Sequence, residues 1–587
     1  MSPRRHRSAL WPFFFVLCST VHPQVAADIV PPGRRTTWNP GIPGGIPARS
    51  TVCASLSAST WGNGSLDATA ALQAAIDACP VGQVVLLSAG TFRVASGPLL
   101  IDKGIVLRGA GSTATLLQAP DGTGEAVVIL GRRWPQEDGS TNLTTNAAKG
   151  SSSVTVANAS GLAGGEVVLV DKLTDASITR WSAESPPGDP SRGWFSRMDR
   201  PLAQVMEIAS VSGNTVSLTT PFHIDFDVAH SAQLTRFREW VGGPLLPAVK
   251  YAGLEDLRVY GGEGHDGGGN VRLELAAYTW VKDVQSEYSA GGSIALFRCF
   301  RCVVRDSYLH HTKDPNPGGN GYGLSINRAT ADSLFENNIV WNFNKVIVMR
   351  ATGGGNVIGY NYFEDGYGAG YPNWVETGLQ ASHMTTPHYE LFEGNQAFNL
   401  EGDATWGNSV FITFFRNHAT STRRSLGGLN LLDLGNRRAI GLAAGHYWYT
   451  FVGNVLGYSG MTPQPAGTAF IYQNTYPWDD DPVPMWKLGY PDSQGTPGVT
   501  VDPQVAATAI RDGSFDYATN QVHWDNPPQA IPDSLYLTRK PAFFGSRTWP
   551  WVNSTGIPKL HALPARARFD SGTPSPGSDT IFGDGFQ

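Results

Sequence analysis

The run 376–390 combines the residue types that acid–base chemistry needs. Glu376 is followed by His383 and His388, with Tyr389 and Glu390 directly after them. Histidine changes charge near neutral pH, so it serves as either a general base or a general acid. Two loop histidines five residues apart have no special metal-binding geometry, and no third ligand is evident. The run therefore indicates acid–base catalysis, and a hydrogen-bonded structural role is the alternative for each histidine.

Two reaction classes fit the charged residues of this region. A lyase that cleaves a uronate needs a cation near the sugar carboxylate, a base for the C5 proton and an acid for the leaving oxygen. Arg416 or Lys313, combined with His383, His388 or Tyr389, would supply that set. Because these groups are more densely clustered than the carboxyl groups, the sequence favours a lyase.

A glycoside hydrolase is the competing interpretation. It needs two carboxyl groups, about 5–5.5 Å apart for retention or about 6.5–9.5 Å apart for inversion. The carboxyl candidates are Glu376, Asp403, Asp365 and Glu401. A third class, a glycan-binding protein or surface adhesin without catalysis, predicts aromatic rings in a groove but no cluster of perturbed titrating groups.

Aromatic residues accompany the charged ones. Sugar rings present C–H faces that pack on aromatic rings, while polar neighbours bind the hydroxyl groups. The candidate substrate-binding residues are Trp374, Tyr371, Tyr389, Trp406, His418 and Tyr322. The sequence assigns no metal ligands. Ca²⁺ is compatible with a lyase, but no tight aspartate cluster marks a calcium site.

A repeated polar residue shows which elements hold these groups. Asp or Asn returns after one or two apolar residues, at intervals of 27, 23, 32, 23, 34, 22 and 37 residues. A period in this range is typical of a solenoid, in which each repeat buries its apolar face on the next repeat. The repeat units are short, apolar or aromatic, and closed by a turn residue, which indicates strands. The carriers are Asp256, Asp283, Asp306, Asn338, Asn361, Asn395, Asn417 and Asn454.

These patterns predict an all-β chain folded as a parallel β-helix with a stacked polar ladder. Asn tolerates the left-handed backbone that such a turn needs. The longer intervals contain extra residues at 261–270, 310–323, 366–388 and 421–446, all at a similar offset from the ladder. Loops inserted at one phase of a solenoid gather on one side. We therefore expect one groove there, holding the candidate residues.

The N-terminal part resembles a known family. Residues 67–79 form a predicted helix with Asp67 as N-cap, followed by the strand 84–87 and by the segment 105–111, Ile-Val-Leu-Arg-Gly-Ala-Gly. Together they resemble the opening of pectate-lyase-superfamily proteins. The resemblance implies a right-handed parallel β-helix whose end is capped by the helix, and a bias towards carbohydrate. It does not imply one reaction, because the superfamily contains lyases, glycoside hydrolases and phage tailspikes.

Other segments complete the predicted organisation. Residues 150–226 interrupt the repeat with short strands, which predicts a small inserted β subdomain. Residues 461–568 lose the ladder and become rich in Pro and Trp, so we expect them to pack onto the C-terminal end of the solenoid. The predicted divisions are 1–27 signal peptide, 28–62 extended lead-in, 63–149 cap and first coils, 150–226 inserted subdomain, 227–460 main β-helix, 461–568 irregular cap and 569–587 tail.

The predicted signal peptide sets the compartment and the chemistry of the cysteines. Three early arginines precede an apolar run, and small residues end at Ala27, which indicates export to the periplasm, the cell surface or the medium. The terminal run 579–587 resembles terminal motifs on some exported Gram-negative bacterial proteins, which implies export from such a bacterium. Four cysteines remain in the mature chain, and we expect Cys53 to pair with Cys79. The net charge of −6 argues against nucleic acid as a partner. The expected partner is a polysaccharide substrate. The sequence predicts no membrane insertion after signal removal and leaves the oligomeric state open.

Overall fold

The chain forms a parallel β-helix with three sheets. The computed structural model describes residues 29–181, 197, 199–263, 268–313, 320–366, 378–422, 438–461, 470–471, 485–491 and 501–572. Each full coil contributes one strand to each of three sheets, which we call A, B and C in the order in which a coil visits them. The predicted parallel β-helix is thus confirmed.

Sheet A precedes the polar turn of each coil. Neighbouring strands pair in parallel, in the register Val281, Val304, Phe335, Ile358, Phe392. The strands of sheet A are Val52–Leu56, Val84–Leu87, Val106–Arg108, Gly253–Tyr260, Trp280–Ser289, Val303–Arg305, Leu334–Glu336, Val357–Gly359, Leu391–Glu393, Thr413–Phe415, Thr450–Val452 and Ile510–Asp516.

Sheet B follows the polar turn. The long strands Gly253–Tyr260, Trp280–Ser289 and Ile510–Asp516 bend through the turn and belong to both sheets. The other strands of sheet B are Gly90–Arg93, Thr115–Gln118, Tyr308–Thr312, Ile339–Phe343, Tyr362–Gly366, Gln396–Ala397, His418–Ala419 and Val455–Leu456.

Sheet C completes each coil. Its first part runs through strands paired in parallel up to Lys345–Arg350, and a second part continues from Leu379–Gln380. The strands of sheet C are Leu99–Ile101, Val128–Gly131, Val271–Glu274, Gly292–Phe297, Tyr322–Asn327, Lys345–Arg350, Leu379–Gln380, Leu400–Gly402, Ile440–Ala443, Phe470–Ile471 and Trp486–Tyr490. The pair Val249–Lys250 and Ala276–Ala277 joins sheets C and A.

The turn between sheets A and B contains a buried asparagine ladder. The backbone N–H of Asn361 donates to Asn395 Oδ1 at 3.0 Å, and that of Asn395 donates to Asn417 Oδ1 at 2.9 Å. The Nδ2 of each asparagine donates to a strand carbonyl of the preceding coil, as Asn395 does to Ile358 at 2.8 Å. Every side-chain donor and acceptor of these ladder asparagines is thereby used, which is the condition for burying amides.

The predicted ladder mixes two adjacent positions of this turn. One position of the turn, directly before the ladder asparagine, has a left-handed backbone and is occupied by Asn337 in its coil. The same position is occupied in other coils by Asp256, Asp283 and Asp306, with φ angles of 52–55°. Asp306 accepts a hydrogen bond from Asn337 Nδ2 at 2.6 Å, whereas Ser307 occupies the ladder position and its N–H bonds Asn338. The interval after Asp306 is therefore 31 residues in register, from Val303 to Leu334, rather than 32.

The N-terminal cap is a helix, as predicted, but its N-cap residue is Ala68 and not Asp67. The helix Thr69–Ala78 buries Leu72 and Ile76 over the open end of the core, and Asp67 Oδ1 accepts from the Thr69 N–H at 3.0 Å. The expected disulfide between Cys53 and Cys79 is present, with a Cα–Cα distance of 5.5 Å. Cys299 and Cys302 are buried free thiols.

The inserted subdomain is larger than the predicted 150–226. It is a six-stranded antiparallel sheet with a separate apolar core. Its strands are Gln136–Asn142, Ser153–Thr155, Val167–Lys172, Leu202–Ser212, Thr215–Leu218 and Gln233–Arg238, with a short 3-10 helix at Val228–His230. Further 3-10 helices lie at Pro32–Arg34, Ala58–Gly64 and Ala542–Phe544.

The C-terminal segment covers the side of the solenoid as well as its end. Strand Ile510–Asp516 forms the last coil, and Gln521–Trp524 pairs with it antiparallel. The helix Pro503–Thr508 precedes that coil. Beyond it, Phe544, Trp551 and Phe569 pack on outward rings of sheet B, and Phe569 belongs to the helix Pro564–Asp570. Leu535 packs on sheet A. This position departs from the expectation that the segment would cover only the C-terminal end.

Within the described residues, no helix has the length and apolar character needed to cross a membrane.

Candidate functional site

Four long connections of the coils occur at one corner, between sheets B and C. The segments 261–270, 313–321, 367–378 and 420–439 each join a strand of sheet B to the next strand of sheet C. The intervening coils turn this corner in a few residues, as between Ser289 and Gly292 or between Phe343 and Lys345. The four segments thus follow the ladder at the same point of the coil, as predicted. Because they end at sheet C, the expected groove lies at the outer face of sheet C.

The second part of sheet C carries polar side chains on its outer face. Leu379, Leu400 and Ile440 belong to the buried apolar core. Because side chains alternate along a strand, the residues next to them point outward. Gln380, Glu401, Gly441 and Lys487 occupy one such outward row, in parallel register.

His383 and Asp403 form the central pair of this face. The His383 Nδ1 lies 2.9 Å from Asp403 Oδ2, and the Gln380 side chain donates to the same carboxylate oxygen. A carboxylate only accepts hydrogen bonds, so Nδ1 carries the proton and Nε2 is the basic nitrogen. The two candidates that lie 20 residues apart in sequence are thus adjacent in neighbouring coils.

Asp403 is held as a carboxylate. Its burial alone would raise its pKa, but the charge and hydrogen bond of His383 and the charge of Lys345 outweigh this effect. The net result is a pKa below the usual aspartate value. An ionised partner at Nδ1 stabilises the imidazolium that forms when His383 accepts a proton.

A tyrosine and two cations surround the pair. The Tyr322 ring meets the His383 ring edge-on, with centroids 6.2 Å apart. The Arg350 guanidinium lies 5.4 Å from the Tyr322 centroid, and its Nη2 donates to Ser325 Oγ at 2.9 Å. Lys345 and Tyr322 are register partners at the start of their strands. Among the predicted substrate-binding residues, Tyr322 therefore belongs to this cluster.

Glu401 takes part in a separate ion pair on the same face. It accepts from Arg438 Nε at 2.7 Å and from the Tyr490 hydroxyl at 3.0 Å. Gly441 is required here, because a Cβ at that position would lie 2.2 Å from Arg438 Nε and 2.4 Å from Glu401 Oε1. The Glu401 carboxylate is therefore neutralised by the Arg438 guanidinium.

Trp406 borders the cluster. With Trp181 of the inserted subdomain it packs against Ala351 and Met384, the residues that follow Arg350 and His383. The subdomain is thus in contact with the edge of the candidate site, and Trp406 remains a candidate for substrate binding.

Two of the predicted residues lie at the corner between sheets C and A instead. His388 is fully buried, its Nδ1 lies 2.9 Å from the Thr386 carbonyl, and burial lowers its pKa to about 4. Tyr389 stacks on Phe411 at 4.7 Å and donates to the Gly33 carbonyl at 2.9 Å. Their proximity to His383 in sequence is misleading, because the chain turns a corner between them.

Arg416 and His418 support the C-terminal segment. The Arg416 guanidinium donates to the carbonyls of Ile531, Pro532 and Val552, each at 2.8 Å. His418 lies on sheet B with its Nε2 2.9 Å from the Gly457 carbonyl, and its ring meets Trp551 edge-on. Neither residue is in contact with the His383–Asp403 pair, and their predicted roles in catalysis and substrate binding remain predictions.

Lys313 lies on the flank at which the long connections begin. It forms ion pairs with Asp121 at 2.8 Å and Glu263 at 3.0 Å, and these partners raise its pKa against the opposing effect of burial. Its neutralisation by two carboxylates argues against a role in binding a uronate. Glu376, Tyr371 and Trp374 lie outside the described residues, and their predicted roles remain predictions.

The described residues contain one cluster of potential metal-binding side chains. In that part of the chain, Asp175, Asp227 and His230 form the single group of three metal-binding side chains that lie close together. The Lys172 ammonium lies between the two carboxylates, 3.1 Å and 3.0 Å away. A lysine ammonium thus occupies the position between the carboxylates that a metal ion would take.

Several residues of the cluster were not predicted from the sequence. Lys345 and Arg350 bracket the apolar run Val-Ile-Val-Met in a coil without an inserted loop, whereas the predicted groove consisted of inserted loops. Two charges at the ends of a buried strand were the signal that could have identified them. Gln380, Arg438 and Tyr490 carried no comparable signal.

Comparisons with known proteins agree with this architecture. Residues 58–165 match the family model described as rhamnogalacturonase A/epimerase, pectate lyase-like. That segment includes the capping helix, the first coils and the beginning of the inserted subdomain. No curated protein sequence matches the chain.

Three solved structures illustrate the likeness in backbone. The tailspike gp49 of Pseudomonas phage LKA1 is 18% identical, with a TM-score of 0.43 over 65% of this chain and 56% of the tailspike. The Azotobacter vinelandii mannuronan C-5 epimerase AlgE6 A-module is 11% identical, with a TM-score of 0.31 over 78% and 93% of the two chains. The polygalacturonase of Erwinia carotovora ssp. carotovora is 9% identical, with a TM-score of 0.30 over 73% and 85%.

The aligned part spans little more than half of the phage LKA1 tailspike, and similarity at this level carries no conclusion about activity. The chain has the parallel β-helix fold, with coils that continue as far as Ile510–Asp516. Its residues 58–165 are similar to the pectate-lyase-like family model.

Proposed function

We propose that this protein is an exported polysaccharide lyase that cleaves a uronate-containing glycan on the outer face of sheet C. The observation that carries the proposal is the His383–Asp403 pair at 2.9 Å, with Tyr322, Arg350 and Lys345 around it. The family description names a rhamnogalacturonase and an epimerase, which agrees with a carbohydrate substrate.

The reaction would be a β-elimination. A base removes the C5 proton next to the uronate carboxylate, and the electron pair of the C5–H bond forms the C4–C5 double bond. The C4–O bond breaks, and the departing glycosidic oxygen receives a proton. The products are a new reducing end and an unsaturated uronate at the new non-reducing end, without consumption of water.

The residues of the cluster match the groups that this reaction needs. His383 Nε2 would accept the C5 proton, and Asp403 at Nδ1 would stabilise the resulting imidazolium. The Tyr322 hydroxyl would protonate the leaving oxygen. Arg350 and Lys345 would neutralise the sugar carboxylate, which makes the C5 proton more acidic and favours the anionic transition state.

A hydrolase is the second candidate, because Glu401 lies on the strand Leu400–Gly402 and Asp403 follows that strand directly, two residues beyond Glu401. Such residues are separated by about 6.6 Å at the Cα atoms, close to the range for inverting hydrolases. However, a hydrolase requires one protonated carboxyl group as the acid. Asp403 has a lowered pKa and Glu401 is paired with Arg438, so neither provides that acid readily.

The test is a product assay with the purified protein. Polygalacturonate, alginate and a neutral glucan are incubated with it, while reducing ends and the ultraviolet absorbance of unsaturated uronates are followed in parallel. The proposal expects both signals on a uronate polymer, and loss of both in His383→Ala. Reducing ends without absorbance would overturn the lyase in favour of the hydrolase. Silence on every polymer would favour a glycan-binding protein without catalysis.

A further inference from the structure

Two tryptophans are exposed where the inserted subdomain meets the solenoid. Trp134 is 59% exposed and Trp240 is 58% exposed, although Trp is usually among the highly buried residues. Gln136 and Arg238 form the last register pair of two neighbouring antiparallel strands. Trp134 lies two residues before Gln136, and Trp240 lies two residues after Arg238. The two side chains are therefore carried by the same end of the subdomain sheet.

Each ring is held in place by its own surroundings. The Arg272 guanidinium lies 4.5 Å from the Trp134 centroid, and Arg272 is itself buried and paired with Glu274. The Trp240 ring lies over the backbone of Gly243, where a Cβ would come within 2.7 Å of the ring atoms. Binding to rings that are already ordered costs little conformational entropy, which is the property of a recognition surface.

This pair lies on the same side of the molecule as the candidate site. Arg272 belongs to the strand Val271–Glu274 of sheet C and points outward between the core residues Val271 and Leu273. Five strand steps separate that strand from Leu400–Gly402, which precedes Asp403. At a spacing of about 4.8 Å per strand, the distance along the face is about 24 Å.

We propose that Trp134 and Trp240 form a platform that binds a remote segment of the polysaccharide chain that reacts at His383. This inference depends on the proposed glycan substrate and extends it, because it requires a polymer long enough to span the face of sheet C. The rings would pack on the C–H faces of sugar rings. Hydroxyl groups would find polar partners at the same place, in Asp138 and Arg238, which lie 3.3 Å apart.

The platform is tested by binding, without any need for turnover. The purified chain is run on native gels that contain polygalacturonate, alginate or dextran, beside the double variant Trp134→Ala/Trp240→Ala. The control is Ile557→Ala, which removes a 96% exposed apolar side chain from the C-terminal segment. We expect at least one gel to retard the wild type and the control. The double variant should bind the polymer in that gel at least about tenfold more weakly.

Several results would overturn this inference. Equal retardation of the wild type and the double variant would do so, and so would a wild type that no gel retards. A dimer of the wild type that becomes a monomer in the double variant would assign the surface to a second copy of the chain. In the product assay, the double variant should raise KM for the polymer more than it lowers kcat. Because binding is scored independently of products, the platform can stand even when the lyase chemistry fails.

Discussion

Asp403 links most of the groups on the outer face of sheet C. It bonds His383 and Gln380, and its charge interacts with Lys345. The importance of such a carboxylate lies in the tautomer and charge that it imposes on the histidine, not in direct contact with the substrate. The candidate mechanism therefore depends on its ionised state.

The substitution Asp403→Asn tests that dependence. The amide retains the shape but not the charge, so we expect kcat to fall by about 10²–10⁴-fold, with a folded protein by circular dichroism. The control is Asp77→Asn on the exposed side of the capping helix, which should retain full activity. A kcat within twofold of the wild type would show that the pair is structural.

Lys345 offers a prediction about pH. Its charge contributes to the lowered pKa of Asp403, so Lys345→Gln should allow that pKa to rise. The active form has Asp403 ionised, and activity is lost as the pH falls through this pKa. The acid limb of kcat/KM should thus move to higher pH in the variant. An acid limb that stays in place, or moves to lower pH, would contradict the assigned coupling.

At the level of elements, the asparagine ladder fixes the register of successive coils. Asn395 accepts from the backbone N–H and the Nδ2 of Asn361, and donates to Ile358 and Asn417. The apolar strands provide most of the buried area but allow sliding in principle, whereas these bonds join defined residues. The ladder thereby holds sheet C, and the groups on it, in a constant alignment.

Asn395→Ala is expected to destabilise the protein strongly. It leaves the buried N–H of Asn361 without its acceptor and removes the side-chain donor to Ile358 and Asn417, and one buried unpaired group costs about 1–3 kcal/mol. The free energy of unfolding in urea should therefore fall by at least about 2 kcal/mol. Asn158→Ala, at an exposed turn of the subdomain, is the control and should change it little. Equal stability of both variants would refute the structural role of the ladder.

Part of this element-scale picture was accessible from the sequence. The period, the short apolar strands, the cap and the phase of the inserted loops follow from the recurrence of turn residues and from Asp67. The one-residue offset of Asp256, Asp283 and Asp306 was not accessible, because Asp and Asn are interchangeable in a pattern. Only the pairing of neighbouring strands shows that Asp306 occupies the left-handed position and that Ser307 beside it occupies the buried ladder position.

The candidate site was predicted less completely, for a physical reason. His383, Asp403 and Tyr322 were identified by their residue types, and the coil geometry brings them together. His388 and Arg416 have the same types but lie past a corner or on another sheet. The direction of a side chain depends on where each coil bends, and the sequence pattern does not determine that position to one residue.

At the scale of the whole molecule, the C-terminal segment is a structural support along sheets A and B. Tyr536 donates to Glu336, the Leu535 N–H donates to Glu393 at 2.8 Å, and Trp551 donates to the Gly394 carbonyl. These contacts lie on outward rings of sheets A and B, whereas the His383–Asp403 pair lies at sheet C.

Arg416→Met tests this division. It removes the donor for three carbonyls of the segment, so we expect a loss of about 2–4 kcal/mol in the free energy of unfolding. Limited proteolysis should cleave the variant faster between residues 526 and 572, while kcat at a temperature well below unfolding stays within threefold of the wild type. A large loss of kcat without a loss of stability would restore Arg416 to the active site.

The central claim is that chemistry occurs on the outer face of sheet C, and a pair of matched tyrosine variants tests it most directly. Tyr322→Phe and Tyr389→Phe each remove one hydroxyl group and keep the ring, the first beside His383 and the second at the corner between sheets C and A. The measurement is the initial rate of unsaturated uronate formation on the responsive polymer. The account predicts a fall of about 10²-fold or more for Tyr322→Phe and near-wild-type rates for Tyr389→Phe. The reverse order, or equal rates for both, would contradict it.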